Sequence, residues 1–207
     1  MKTLLLDIGN VLVHFDFAPA GQRLAQCSRV DGDPMDQLRD LKYRLETGAI
    51  AGADFVESAI EALGFRGTPA EFRRIWEEIF SPNLPMWNVV EAARGRYRLL
   101  LLSDTSEIHH QSLLRDFPVF AHFEGGSFSY RAGCLKPDPE FYRLAIEEHG
   151  LVPAETLYAD DRLDNVAAGE RAGLVSLLYA ADRHDEFLSA ARERGFDLDP
   201  GGSSAGS

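Results

Sequence analysis

The sequence predicts an α/β protein, a doubly wound parallel sheet with an inserted all-helical subdomain. Three observations predict it. Wholly apolar runs of strand length recur and end on polar residues: TLLLD at 3–7, YRLLLLSD at 97–104, TLYADD at 156–161 and VSLLY at 175–179. They show little alternation, as expected of strands covered on both faces. Helical patterns occupy 106–117, 137–150 and 162–173, and strands alternating with helices wind into a parallel sheet. The stretch 17–87, by contrast, is rich in helical spacing and poor in strand-like runs.

Along the chain, 3–7 is the first strand, with Asp7 at its carboxyl end before Gly9, Asn10 and the apolar 11–13. MDQLRDLKYRLETG (35–48), ADFVESAIEALG (53–64) and PAEFRRIWEEIF (69–80) then space apolar residues by three and four, the stripe of an amphipathic helix. Together they are too long for one crossover helix. The expected division is therefore a sheet domain over 1–16 and 88–199 and a helical insert over 17–87. Trp76 and Trp87, with Phe72 and Phe80, fall on or near its third helix and are expected to pack a core rather than to form a substrate platform. The run at 97–104 is the next long strand, ended by Ser103, Asp104 and Thr105. In the helix that follows, His109 and His110 project about 100° apart, so they are expected on a solvent face rather than on one ligand. Lys136 precedes the helix at 137–150, and Asp160 with Asp161 ends a third strand. Gly150 and Gly173 are natural helix stops. Residues 200–207, small and polar, are expected to be a flexible tail outside the fold.

The composition is that of a globular protein: 207 residues, 45% hydrophobic and 26% charged. A net charge of −12 argues against a general nucleic-acid or anionic-membrane binder, because phosphate-backbone affinity comes from clustered Lys and Arg. It leaves room for a small phosphorylated substrate. Cys27 and Cys134 stand far apart with no metal-ligand spacing, so neither a disulfide framework nor a zinc site is expected. Asp7 breaks the first apolar run too early for a signal peptide, and no run reaches the roughly 20 residues that span a bilayer. The expectation is a cytoplasmic protein, monomer or homodimer, with neither G-x-G-x-x-G nor G-x-x-x-x-G-K-[ST] to suggest a nucleotide loop.

Ligands of an open parallel sheet bind outside the carboxyl ends of its strands. Here those ends deliver Asp7, then Ser103, Asp104 and Thr105, then Asp160 and Asp161, with Lys136 before a helix. Singly, each has an ordinary reading: Asp7 as a turn or helix cap, Ser103 as a capping hydroxyl, Lys136 as a solvated turn residue, the acid pair as surface. Jointly they place acids, a hydroxyl and an ammonium on one edge. Clustered carboxylates repel, and Mg²⁺, held by one or two carboxylates and a substrate phosphate, would resolve that repulsion.

DIGNVLV (7–13), LLSDTS (101–106), Lys136 of LKPDPEFY and YADDRLDN (158–165) resemble, in order, the four motifs of the haloacid dehalogenase superfamily. The insert resembles that superfamily's C1 helical cap, and the likeness covers all but the tail. DIGNV with ETGAIAGADF in the insert is similar to the bacterial branch that holds sugar-phosphate phosphatases of the glucose-1-phosphate type. The resemblance implies a Rossmann-like core and a Mg²⁺-dependent phosphatase of small phosphorylated metabolites. It implies that Asp7 attacks phosphorus to form an aspartyl-phosphate and that Ser103 and Lys136 hold the phosphoryl oxygens. It further implies that Asp7, the Gly9 carbonyl and Asp161 ligate Mg²⁺, with Asp160 beside them and Asn165 behind. Asp104 and Thr105, and Arg44 and Glu46 of the insert, are the expected substrate contacts.

Most phosphatases of this superfamily carry a second Asp two residues after the nucleophile, as general acid and base. Here that position is Gly9, which keeps the backbone carbonyl and lacks the proton-transfer group, a contribution of typically 10²–10⁴-fold. Asp16 and His14 are the nearest substitutes, although Asp16, before Phe17, Ala18 and Pro19, also reads as the cap of the first insert helix. Two other readings follow from Gly9: a 2-haloacid dehalogenase, which needs no such acid, or a degenerate phosphate-binding member with little turnover. The pair Asp160 and Asp161, expected to be missing from a metal-free dehalogenase, favours phosphate chemistry. A receiver domain has similar parts in the reverse order.

Overall fold

The computed structural model describes residues 1–199; the expected tail at 200–207 lies outside them. Among the described residues the strands are, in chain order, β1 (Thr3–Leu6), β2 (Val13–Phe15), β3 (Phe80–Pro82), β4 (Arg98–Ser103), β5 (Gly126–Phe128), β6 (Thr156–Asp160) and β7 (Val175–Leu178). Five form one sheet in the order β5-β4-β1-β6-β7, every neighbouring pair parallel.

The all-apolar runs become strands because both faces of this sheet are covered. Leu5, Leu100, Leu102 and Tyr158 meet Phe141, Tyr142 and Ala145 of the helix Pro139–His149 on one face. Leu4, Leu6, Leu101, Leu157 and Ala159 meet Met86, Val89 and Val90 of the helix Leu84–Ala93 and Phe187 of the helix His184–Glu193 on the other. Successive residues of a strand alternate faces, and each fully buried leucine contributes about 1.5–3 kcal/mol. β1 pairs with β4 on one side and β6 on the other, Leu6 opposite Leu101 and Ala159. The chain thus crosses in opposite directions from β1, and a crevice opens at the carboxyl ends of β1, β4 and β6.

The helical insert leaves and returns through an antiparallel ribbon, β2 with β3, in which Phe15 lies opposite Phe80. Its helices are Ala18–Cys27, Pro34–Gln37, Arg39–Glu46, Gly52–Leu63 and Pro69–Glu77, gathered on Leu24, Leu38, Leu45, Phe55, Leu63, Phe72 and Trp76. Trp76 and Phe72 are core, not a platform: both are fully buried. The last helix starts at a capping box, the Thr68 hydroxyl accepting from the Glu71 amide and the Glu71 carboxylate from the Thr68 amide. Trp87 and Met86, counted with the insert by sequence, sit in the helix Leu84–Ala93 against the sheet, and the Trp87 indole donates to Leu12 O at 2.7 Å.

Two features of the fold escape the apolar-run reading. β5 is a three-residue edge strand, GSF, with no such run, and the ribbon strands are as short, one of them ending in Pro82. The expected solvent face for His109 and His110 is also wrong, since they are only 5% and 8% exposed. The helix Glu107–Asp116 is covered on two sides: His109 packs on Phe17, Trp76 and Phe80, His110 on Phe128 and Tyr130. No helix of the described residues is long and apolar enough to cross a membrane.

Candidate active site

Lys136 organises the crevice. Its side chain is 1% exposed, and Nζ reaches Asp7 Oδ1 at 2.9 Å, Asp160 Oδ2 at 2.6 Å and Leu102 O at 3.1 Å. An ammonium has three protons, and all three are used. Asp160, fully buried, also accepts from the Tyr158 hydroxyl (2.5 Å), the Arg162 amide (2.9 Å) and Asn165 Nδ2 (2.9 Å). Its two oxygens therefore take four hydrogen bonds, the full complement of a carboxylate. The β1 register places Asp7 beside this group, its amide donating to Ala159 O at 3.0 Å.

Charge follows from that packing. Burial pushes the Asp7 carboxyl up to about 7, with Asp160 adding to the rise and Lys136 opposing it. Burial works against the Lys136 charge too, yet Asp7 and Asp160 outweigh it and hold its pKa above the ordinary lysine value. Asp160 is also desolvated, but Lys136 and its other donors win and keep it below the usual carboxylate range. Asp104 opens on the same cavity; the enclosing walls raise its pKa, against the pull of Lys136, whose amide donates to Asp104 Oδ1 at 2.9 Å.

The residues present fit a hard divalent cation. One oxygen from each of Asp7, Asp160 and Asp161 lies within 4.8 Å of the others. Asn165 Oδ1 is a buried acceptor with no partner, the group a metal-bound water would satisfy. Asn10, held at φ 54° by the turn after β1, donates to Asp161 Oδ2 at 2.9 Å and aims it at the crevice. Asparagine tolerates that left-handed backbone better than most residues.

Asp7, Gly9, Ser103, Asp104, Thr105, Lys136, Asp161 and Asn165 line one cavity of about 350 Å³, and Glu46 reaches it from the insert. Arg44 is not among the lining residues, because it sits on another side of its helix, and neither is Asp16. The Asp16 carboxylate instead accepts from the Ala18 amide at 2.8 Å, the turn that starts the first insert helix. At Gly9 a Cβ would meet the Phe15 ring at 3.0 Å, so an aromatic edge crowds the point where a side chain would begin. Sequence reasoning overlooked Lys42, paired with Glu46 at 2.6 Å, and also Phe15, Arg162, His109 and Asn10. For Asn10 a signal existed, its place after Gly9 in the turn; for Lys42 the four-residue spacing to Glu46 was one.

Comparison with known proteins gives the chain a family and places its fold. The family described as haloacid dehalogenase-like hydrolase matches residues 1–173. The D-ribitol-5-phosphate phosphatase of Bacteroides thetaiotaomicron is 25% identical over 183 residues, covering 84% of this chain and 89% of that protein. A phosphorylated carbohydrates phosphatase of Thermotoga maritima is 27% identical over 105 residues, covering 50% of this chain and 49% of its own. Among solved structures, a haloacid dehalogenase family enzyme of Bacteroides thetaiotaomicron in complex with magnesium and inorganic phosphate superposes with a TM-score of 0.78 at 25% identity. That match covers 87% of this chain and 95% of the other.

Proposed function

Since the chain belongs to the haloacid dehalogenase-like hydrolase family and is a phosphatase of it, we propose that it hydrolyses a small sugar or polyol phosphate through an aspartyl-phosphate on Asp7. The observation that carries this reading is the Asp7–Lys136–Asp160 chain, an acid held 2.9 Å from a buried ammonium at the strand edge. The named relatives that act on D-ribitol 5-phosphate and on phosphorylated carbohydrates support the substrate class.

In this reading an Asp7 oxygen attacks phosphorus while the ester P–O bond breaks and the alkoxide leaves. Water then attacks the acyl phosphate, returning Asp7 and releasing phosphate. Ser103 and Lys136 hold the phosphoryl oxygens where charge develops. Asp7, Asp161 and the Gly9 carbonyl would hold Mg²⁺, with Asp160 beside them, its four hydrogen bonds orienting Lys136. When bound there, such an ion would supply positive charge to the phosphate and would favour the ionised Asp7 that burial disfavours. With Gly9 in place of an acid and Phe15 against it, the departing alkoxide takes its proton from water. Slower turnover on esters of weakly acidic alcohols follows.

The test is phosphate release from a panel of sugar and polyol phosphates with Mg²⁺. Release is expected with the wild type, and it should vanish with a chelator and with Asp7→Asn. No release above the Asp7→Asn control would defeat the proposal, and halide release from 2-haloacids in its place would favour the dehalogenase.

A further inference from the structure

His109 is a buried polar side chain in the cavity wall that phosphoryl transfer itself does not use. It lies in the first turn of the helix Glu107–Asp116 and is 5% exposed. Its Nε2 is 2.9 Å from Trp76 O. A carbonyl only accepts, so Nε2 carries the proton. The ring lies parallel to the Trp76 indole at 5.7 Å and edge-on to Phe80 at 5.1 Å, which prevents it from turning over. Burial, with Lys42 adding to it, brings the pKa down to about 4, so at neutral pH the ring holds one proton only. Nδ1 is left as an acceptor to which no described residue donates, and it is not one of the sealed buried atoms without a partner, so solvent in the cavity that His109 lines reaches it. Around the same cavity stand Lys42 with Glu46 from the insert and the apolar Phe17 and Phe80.

Water meets that acceptor in the free protein, so a ligand that displaces the water must supply an O–H in its place or leave Nδ1 unpaired. We propose that His109 Nδ1 accepts a hydrogen bond from a hydroxyl of the leaving group, and thereby selects hydroxylated phosphate esters over plain alkyl ones. The inference rests on the phosphatase reading and adds the residue that recognises the alcohol. An alkyl chain of equal length fills the space and leaves Nδ1 unpaired, the kind of mismatch by which a polar site rejects an apolar analogue.

A role confined to the Trp76 hydrogen bond, tying the insert to the sheet domain, predicts something different, and two variants separate the roles. Glutamine places an N–H near the Nε2 position and removes the Nδ1 acceptor; asparagine places an oxygen near Nδ1 and removes the Nε2 donor. Dissociation constants for D-ribitol 5-phosphate and n-pentyl phosphate are measured by calorimetry with Mg²⁺ in an Asp7→Asn background, which removes turnover. The parent is expected to prefer the ribitol ester. His109→Gln should reduce that preference about 3- to 10-fold, the value of one neutral hydrogen bond, and His109→Asn should retain it. Equal binding of the two esters by the parent, absence of binding included, overturns the inference, as does an unchanged preference in His109→Gln. Phosphate release from ribitol 5-phosphate by the wild type, alongside that unchanged preference, leaves the phosphatase reading standing without it.

Discussion

Asp7 is where sequence, burial and charge meet most sharply. A carboxylic acid at the end of a buried strand is unfavourable as an anion, and its pKa of about 7 against an ordinary 3.8 records that. A group whose pKa is raised by folding contributes stability below its unfolded value and loses it as pH climbs through its folded value. Without magnesium, the Asp7 contribution is therefore full below about pH 4 and lost by about pH 7. Asp7→Asn escapes this loss. In chelator, its stability advantage over the wild type should grow from pH 4 to pH 8 and reach about 1–3 kcal/mol, read from urea unfolding at a series of pH values. An advantage that shrinks with rising pH would contradict the burial account.

At the scale of elements, the loop between the helices Arg39–Glu46 and Gly52–Leu63 joins the insert to the sheet domain. Gly48 takes φ +68°, and a Cβ there would stand 2.0 Å from Tyr130 O. Gly52 N–H donates to Glu107 Oε2 at 3.3 Å. Gly48→Ala must displace the loop that follows Glu46. Its expected effects are a stability loss of about 1–3 kcal/mol and a raised KM with a smaller change in kcat, measured by urea unfolding and steady-state kinetics. The same scale shows what could be read in advance. The strands β1, β4, β6 and β7 were legible because their faces are largely buried, which writes a mostly apolar run into the sequence. β5 and the ribbon were not, since three residues carry no period. His109 was misread because a helix wheel describes one helix, and its burial comes from Trp76 and Phe80, more than twenty residues away in the chain. Asp7, Ser103, Lys136 and Asp161 were legible as strand-end chemistry, whereas Lys42 and Phe15 face the cavity only through the docking of the insert.

For the whole molecule, the proposed reading makes folding and ion binding at the cluster of acids one equilibrium. A ligand that binds only the folded state stabilises it by RT ln(1 + [L]/Kd), about 2.7 kcal/mol at a hundredfold excess over Kd. Magnesium should raise the Tm of the wild type and raise that of Asp7→Asn less, because on that reading one of the proposed ligand oxygens loses its charge; calorimetric scans with and without chelator measure both. Equal shifts would place the ion elsewhere. The net charge of −12 adds a diffuse attraction for cations that salt screens, so the comparison belongs at constant ionic strength.

The three protons of the Lys136 ammonium carry a further consequence. Each already has an acceptor: a main-chain carbonyl fixed in β4, an aspartate tied by three other donors, and Asp7. On the proposed reading, an arriving phosphoryl oxygen finds no vacancy and must evict an occupant. The carbonyl and Asp160 are anchored, so Asp7 is the tenant that yields. The resting site is thus latched through its own nucleophile, and the substrate itself is the key that releases it.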